Sequence, residues 1–411
     1  MNPLYVGIDV AQKENWACLM NSTGDELSTF SFSNDLTGAT GLKDKCLALA
    51  AQHSIDSLLV GMEATATYWW HLSVYLSTEA ELSHLYPKVY SINPKIVKGF
   101  KKSYPFLPKT DRIDAWVIAD RLRFGRLPAE CYHDERYQPL QRLTRFRYRL
   151  IKQITDEKNY FLSYLSLKFN TFKPRGIITN TFGATSTAIL TEFYSVDEIA
   201  ETDIDELAAF VQKSSNNTIT DPVEVAESVK QAARDAYRLD KKILEPINFI
   251  LATTLRNIQA LQAQVKITDL AIAKEIAHIP HTLGTVKGLG PVLCAGIIAE
   301  VGDVTRFKDQ AALAKYAGLT WHVRRSGQFE AEETHMSKTG NPYLRYYLYE
   351  AANSLRVHND EYRAYYERKY AEAKTHHHRR ATALTARKLV RLVFSLLQSK
   401  RLYEPKVGVF R

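Results

Sequence analysis

The stretch Leu4-Tyr5-Val6-Gly7-Ile8-Asp9-Val10 is an apolar run that ends in a single acid. A run this short, rich in β-branched and aromatic residues, reads as a buried strand over Leu4 to Asp9. Trp16 to Met20 reads as the next strand of a hairpin or meander, and Ser28 to Phe32 as a third alternating piece. Thr37 to Ser54 has helical spacing, with Leu42, Cys46, Leu49 and Ala50 on one face. Ile55 to Met62 returns to strand and Tyr68 to Leu76 to helix. A further short strand falls at Ser83 to Tyr86 or at Val89 to Asn93, and Asp111 to Arg123 is helical. Strands first, then alternating helix and strand, predict a mixed α/β sheet covered by helices.

That order gives four acids a common address. Asp9 ends the first strand, Glu63 lies just beyond a second, and Asp111 and Asp114 stand near the start of a helix, where an i,i+3 pair shares a face. Strand ends of an α/β sheet are where sites are usually built. Four oxygen donors there suit hard divalent cations, which activate an attacking hydroxyl and neutralise a leaving oxygen. Lys109 and Arg112 stand beside them as candidate phosphate contacts. The competing reading is structural: Asp111 caps the helix and Asp114 sits on its wet face.

Farther along, the pattern changes. From Tyr137 the apolar positions Leu140, Leu143, Ile151, Ile154, Phe161 and Leu165 form a stripe on a long helix. The Phe-, Gly- and Thr-rich piece Phe169 to Ser186 interrupts it, and short helices follow to Asp240. Ile243 to Ile279 is long enough to project as an arm; Leu251, Ile258, Val265 and Ile272 recur every seven residues, the spacing of a coiled-coil seam, although Thr254 and Thr268 weaken it. Beyond Pro280 the chain reads as mostly helical, over Val292 to Val301, Pro342 to Lys369 and Ala381 to Lys400. Gly288 and Gly290 bracket a turn that reads either as the hairpin of a helix-hairpin-helix, offering backbone amides to phosphate, or as a tight packing turn. The expected division is 1–130, 131–279 and 280–411.

Composition narrows the class. The chain has 411 residues and a formal net charge of +9, with its cations crowded at 95–109, 142–149 and 376–391, which suits a polyanionic partner. Cys18, Cys46, Cys131 and Cys294 lie far apart, excluding a thiolate zinc site and pointing to a reducing cytosolic setting. Neither a secretory signal nor a membrane-spanning run is expected. Trp321, His322, Arg324 and Arg325 offer an aromatic and basic surface for nucleic acid, and Arg379 and Arg380 follow His376 to His378 in what reads as a phosphate-contacting loop rather than a metal tract.

The residues together resemble the IS110-type transposases, the IS110/IS116/IS902 family. The matching pieces are Tyr5-Val-Gly-Ile-Asp9-Val, Gly61-Met-Glu63-Ala-Thr-Ala-Thr-Tyr68-Trp69 and Lys109-Thr-Asp111-Arg-Ile-Asp114-Ala. Further on come Val286-Lys-Gly-Leu-Gly290-Pro, Tyr316-Ala-Gly-Leu319, Arg325-Ser326-Gly327 and Lys338-Thr-Gly-Asn341-Pro-Tyr-Leu-Arg345. The resemblance implies a RuvC-like domain of ribonuclease H architecture whose DEDD metal site falls on Asp9, Glu63, Asp111 and Asp114, with Mg2+ preferred and Mn2+ an alternative. It also implies a C-terminal serine transposase domain with Ser326 as nucleophile and Ser337 as second candidate. Lys338 and Arg345 join Lys109, Arg112, Gly288, Gly290, Arg324, Arg325, Arg379 and Arg380 as expected nucleic-acid contacts. The implied partners are double-stranded donor and target DNA, a structured noncoding guide RNA and further copies of the chain, dimer to tetramer, in a prokaryotic cytoplasm at the nucleoid. A serine hydroxyl needs a base, a metal or positive surroundings to attack, and Arg324 and Arg325 offer charge for the phosphoryl oxygens. The rival readings are a RuvC-like junction-resolving nuclease, which needs no serine, and a DNA invertase using the same machinery.

Overall fold

The computed structural model describes residues 2–63, 66–127, 130–131, 133–321, 325–326, 329–330 and 336–405. The chain divides into two compact units, Met1–Asp134 and Glu135–Arg411.

The first unit is built on β1 (Pro3–Asp9), β2 (Glu14–Met20) and β3 (Glu26–Ser33), an antiparallel meander. Next come α1 (Leu36–His53), β4 (Ser57–Glu63), α2 (Trp69–Thr78), β5 (Lys88–Ile92), α3 (Pro94–Lys101) and α4 (Asp111–Phe124). The sheet order is β3-β2-β1-β4-β5, with β4 parallel to β1 and β5 parallel to β4. This mixed sheet with helices on both faces is ribonuclease H-like. Of the two alternatives for the last strand the second holds, and residues 80–85 form a 3-10 turn instead. Helix α3 was not expected; Asn93 caps it by accepting from the Lys95 amide at 2.9 Å, and Pro94 opens it, so local capping outweighs a lysine-rich sequence.

β1 is the central strand, and period 2 divides its side chains. Leu4, Val6 and Ile8 are fully buried against α1 and α2, in a core with Leu42, Cys46, Leu58, Val60, Met62 and Leu72. The opposite face receives α4 through Ala115, Val117, Ile118, Ala119 and Leu122.

The second unit begins with α5 (Gln138–Lys168), followed by α6 (Ala184–Glu192), α7 (Val196–Glu201), α8 (Ile204–Ser214), α9 (Pro222–Arg234) and α10 (Lys241–Ile276). Helices α5 and α10 pack along one another through Leu150, Ile154, Ile258 and Val265. The four seven-spaced residues of α10 are all buried. Thr254 and Thr268 are buried among them because their hydroxyls donate to the carbonyls of Ile250 and Gln264, each at 2.8 Å. Helices α6 to α9 wrap Phe161, Leu165, Phe169 and Phe172 in a core of their own.

The rest of the unit is α11 (Pro291–Val301), α12 (Gln310–Tyr316), a small hairpin of β6 (Arg325–Ser326) and β7 (Phe329–Glu330), α13 (Pro342–His358), α14 (Asp360–Ala371) and α15 (His377–Ser399). Where periodicity predicts one helix over Pro342 to Lys369, two form. Asn359 leaves the helical region (φ −128°, ψ 119°) and its side chain accepts from the Tyr362 amide to start α14. No helix among the described residues is long and apolar enough to cross a membrane.

Candidate functional site

Two glycines let a helix that carries two of the acids lie on the sheet face that carries the other two. In β1 and β4, Gly7 pairs with Gly61 and Ile8 with Met62, so Asp9 and Glu63 follow at the same level on adjacent parallel strands. Side chains two apart share a face, so each acid stands on the face of its own glycine. A Cβ on Gly7 would lie 2.2 Å from the Ala115 carbonyl oxygen and 2.2 Å from the Ala119 amide; one on Gly61 would lie 3.0 Å from the Leu122 side chain. The backbone of α4 therefore rests on this face, and its first turn carries Asp111 and Asp114.

Thr110, not Asp111, caps α4: its hydroxyl accepts from the Ile113 amide at 3.3 Å. Asp111 is left exposed and Asp114 half-buried. Burial first, then the charges of Asp111, Asp114 and Glu63, push the Asp9 carboxyl up to about 6, against a lowering influence from Lys101. Repulsion of this kind is what neighbouring carboxylates exert on one another.

Lys101 is the residue sequence reasoning missed. It ends α3, and its ammonium forms an ion pair with Asp114 while both side chains are largely covered, at 23% and 28% exposure. The only signal in the sequence is its place in the basic stretch 95–109. Among the described residues no group of three or more His, Cys, Asp or Glu side chains is drawn together tightly enough to hold a metal ion. The donor set itself is hard, anionic and partly desolvated, which is the chemistry that suits Mg2+ or Mn2+. Nearby, Tyr104 donates to the buried Asp120, which Arg123 also pairs at 2.6 Å, fastening the segment after α3 to α4. Arg112 pairs with Glu26 of β3 at 2.9 Å, and Lys109 is exposed.

In the second unit Ser326 lies in β6, paired with Phe329 of β7. His322, Arg324 and Gly327 lie outside the described residues, as do the side chains of Arg325 and Ser326. Lower on the same excursion Trp321 bridges Met336, the Ser337 amide donates to the Thr320 carbonyl at 2.8 Å, and the two hydroxyls of Thr320 and Ser337 are 2.9 Å apart. Ser337 thus lies beside the Trp321–Met336 bridge, and Ser326 lies in the β6–β7 pair.

Lys338 is exposed and takes a positive φ of 52°. Arg345 donates to the Ala317 carbonyl at 3.1 Å, which spends part of its guanidinium internally. Gly288 has φ +101° and its carbonyl accepts from Ser354 at 2.6 Å; Gly290 caps α11, and only a 3-10 turn at Leu283–Thr285 precedes them. Arg379 is exposed in the first turns of α15 and Arg380 half-buried. His377 Nδ1 is 2.8 Å from the Tyr370 carbonyl oxygen and His378 Nδ1 2.7 Å from the Tyr366 hydroxyl, so both imidazoles serve local bonds.

Two family models match this chain. One, for DEDD transposases of IS110, is described as a transposase and covers residues 6–170; the other, described as transposase IS116/IS110/IS902 family, covers residues 281–367. The chain is 25% identical to the insertion element IS116 uncharacterized 44.8 kDa protein of Streptomyces clavuligerus, over 98% of this chain and 96% of that one. It is 30% identical to the insertion element IS110 uncharacterized 43.6 kDa protein of Streptomyces coelicolor over 36% of this chain and 35% of that one. It is 22% identical to the pilin gene-inverting protein of Moraxella bovis over 85% and 82%. The first model spans all four acids and the second spans the serine hairpin, and the chain belongs to the IS116/IS110/IS902 transposase family of DNA transposases and recombinases, with a RuvC-like domain and a metal-dependent nuclease mechanism.

Proposed function

We propose that this chain cuts and rejoins DNA by serine recombination, using the four acids to hold Mg2+ or Mn2+ and Ser326 to attack the scissile phosphate. The observation that carries the reading is that Asp9 and Glu63 follow the paired Gly7 and Gly61 on adjacent strands, while α4, whose first turn carries Asp111 and Asp114, rests on that same face. Divalent cations bound there supply charge neutralisation at the phosphate and at the leaving oxygen. Ser326 Oγ gives up its proton and forms the new P–O bond; the P–O bond to the DNA leaving oxygen breaks, and that oxygen takes a proton. The phosphoserine link keeps the ester energy, so a hydroxyl of the recombining strand later attacks the same phosphorus and releases Ser326 without ATP. Family likeness favours Ser326 over Ser337, whose hydroxyl is engaged with Thr320. Arg324 and Arg325 are assigned to the phosphoryl oxygens and Gly327 to close approach of the DNA backbone.

Lys109, Arg112, Lys338, Arg345, Arg379, Arg380 and the Gly288–Gly290 turn, read as helix-hairpin-helix-like, are assigned to nucleic-acid backbone contacts. The partners assigned by family likeness are donor and target DNA and a structured noncoding guide RNA. The α5 and α10 pair is read as a coiled-coil arm joining 1–130 to a serine domain at 280–411. Two duplexes must be held at once, which calls for a dimer or tetramer. The likeness to a gene-inverting protein favours inversion as a second reading of the same chemistry.

The test is cleavage of DNA bearing the native element ends, with Mg2+ and the adjoining RNA transcript, resolved on a denaturing protein gel. A covalent protein–DNA band lost in both Ser326→Ala and Asp9→Ala supports the reading. Cleavage without such a band, persisting in Ser326→Ala and lost in Asp9→Ala, replaces it with a hydrolytic nuclease.

A further inference from the structure

Glu300 of α11 is a buried carboxylate that the reaction above does not use. Its side chain has no exposed surface, yet its partners come from separate stretches of chain. Arg145 of α5 forks onto it, Nε to Oε1 at 2.7 Å and Nη2 to Oε2 at 2.8 Å. Asn341 Nδ2 donates to Oε2 at 2.7 Å, and the Arg145 guanidinium lies over the Tyr343 ring, 4.6 Å from its centre. Removing a carboxylate and a guanidinium from water costs several kcal/mol, and an apolar pair of similar volume often serves stability as well or better. What the ionic pair adds is direction.

That direction is set at Asn341. Its amide donates to the Tyr316 carbonyl at 2.6 Å, its Nδ2 also reaches the Tyr316 hydroxyl at 3.1 Å, and its Oδ1 caps α13 by accepting from the amides of Tyr343 and Leu344. Just before it, a Cβ on Gly340 would lie 2.1 Å from the Tyr316 carbonyl oxygen, and one on Gly318 would lie 2.9 Å from the Gly340 amide. The two segments therefore cross backbone on backbone. From this crossing the chain passes to the Thr320 and Ser337 pair, which flanks in sequence the β6–β7 hairpin that carries Ser326.

We infer that Glu300, with Arg145 and Asn341, is a positioning group for the serine step. The network fixes where the chain leaves the helical core towards the hairpin and ties that point to α5. Glu300 touches no reacting atom; it acts through Asn341. The inference rests on Ser326 being the nucleophile.

The experiment uses the full chain with Mg2+, RNA and element-end DNA, measuring single-turnover formation of the covalent adduct against DNA concentration. Asn341→Ser keeps a good helix cap but removes the donor to Glu300. It is expected to lower the maximal adduct rate 10- to 100-fold while the half-saturating DNA concentration stays within twofold. Arg145→Met with Glu300→Leu is expected to keep the thermal midpoint near that of the wild type without restoring the rate. A wild-type rate in Asn341→Ser, or in the apolar double variant, overturns the inference, as does a loss confined to the half-saturating concentration. An adduct that persists in Ser326→Ala marks the other failure, that of the nucleophile assignment, and is read from a separate variant.

Discussion

The acid site and the serine hairpin are built by opposite means. Asp9, Glu63, Asp111 and Asp114 all belong to regular elements, and their placement follows from strand register, period 2 and two glycines that admit α4. Among the described residues the hairpin contributes two pairs of strand residues, and its placement depends on contacts between segments distant in the chain: hydrogen bonds of Thr320 with Ser337 and of Asn341 with Glu300, and the close backbone approach of Gly318 to Gly340. A site carried by a sheet is vulnerable where the backbone must come close. A site carried by a loop is vulnerable where a polar side chain aims it.

The largest effects separate the two regions by chemistry. Asp9→Ala and Ser326→Ala are each expected to cut adduct formation on the order of 10³-fold or more, because groups that act as a unit fail together. Quench-flow sampling on a denaturing gel measures it, and a double variant no worse than either single one is the expected sign of shared work. Independent, multiplying losses would break the picture of a common scissile phosphate.

Next in size is backbone fit. Gly7→Ala forces a Cβ into α4 and is expected to cost about 3 kcal/mol in urea unfolding. Gly290→Ala, with open space around its Cβ position and φ −72°, is expected to stay within about 1 kcal/mol. Equal losses at the two positions would contradict the contrast between sheet and loop.

The pH response sharpens the acid side. The Asp9 carboxyl is raised in the folded chain from 3.8 to about 6, so the fold binds an extra proton between those values. Stability is therefore favoured at low pH and falls as pH rises through about 6. Asp9→Asn removes that cost and is expected to stabilise the metal-free protein at pH 8 by less than about 3 kcal/mol, and hardly at pH 4. Thermal midpoints of both proteins across this range decide it; a constant difference at all pH values would remove the assigned cause.

Smallest is Lys101→Met. A partly covered single ion pair is worth under about 1 kcal/mol, and salt weakens it. The midpoint difference from wild type is expected to shrink in 1 M salt; a larger, salt-insensitive loss would mean that Lys101 serves packing instead.

Much of the first region was legible in the sequence because an acid at the end of an apolar strand and an i,i+3 pair in a helix are local patterns. Lys101 was not, since its helix is short and lysine-rich and its partner lies in another element. The Asn359 break escaped for a related reason: one asparagine ended α13 and began α14 inside a continuous apolar period. Glu300 sits inside an apolar helix where nothing in its neighbours signals a buried partner.

The sequence by itself determined the order of strands and helices, the four acids at strand ends and a helix start, and the family, because these depend on periodicity and on short ordered motifs. Only the tertiary structure decided that α4 lies on Gly7 and Gly61, that Lys101 joins the acids, that Thr110 holds the cap and that Glu300 reaches Asn341. Local patterns select secondary structure through backbone sterics and burial, whereas partners distant in the chain are chosen only once the elements pack and each buried polar group must find its bond.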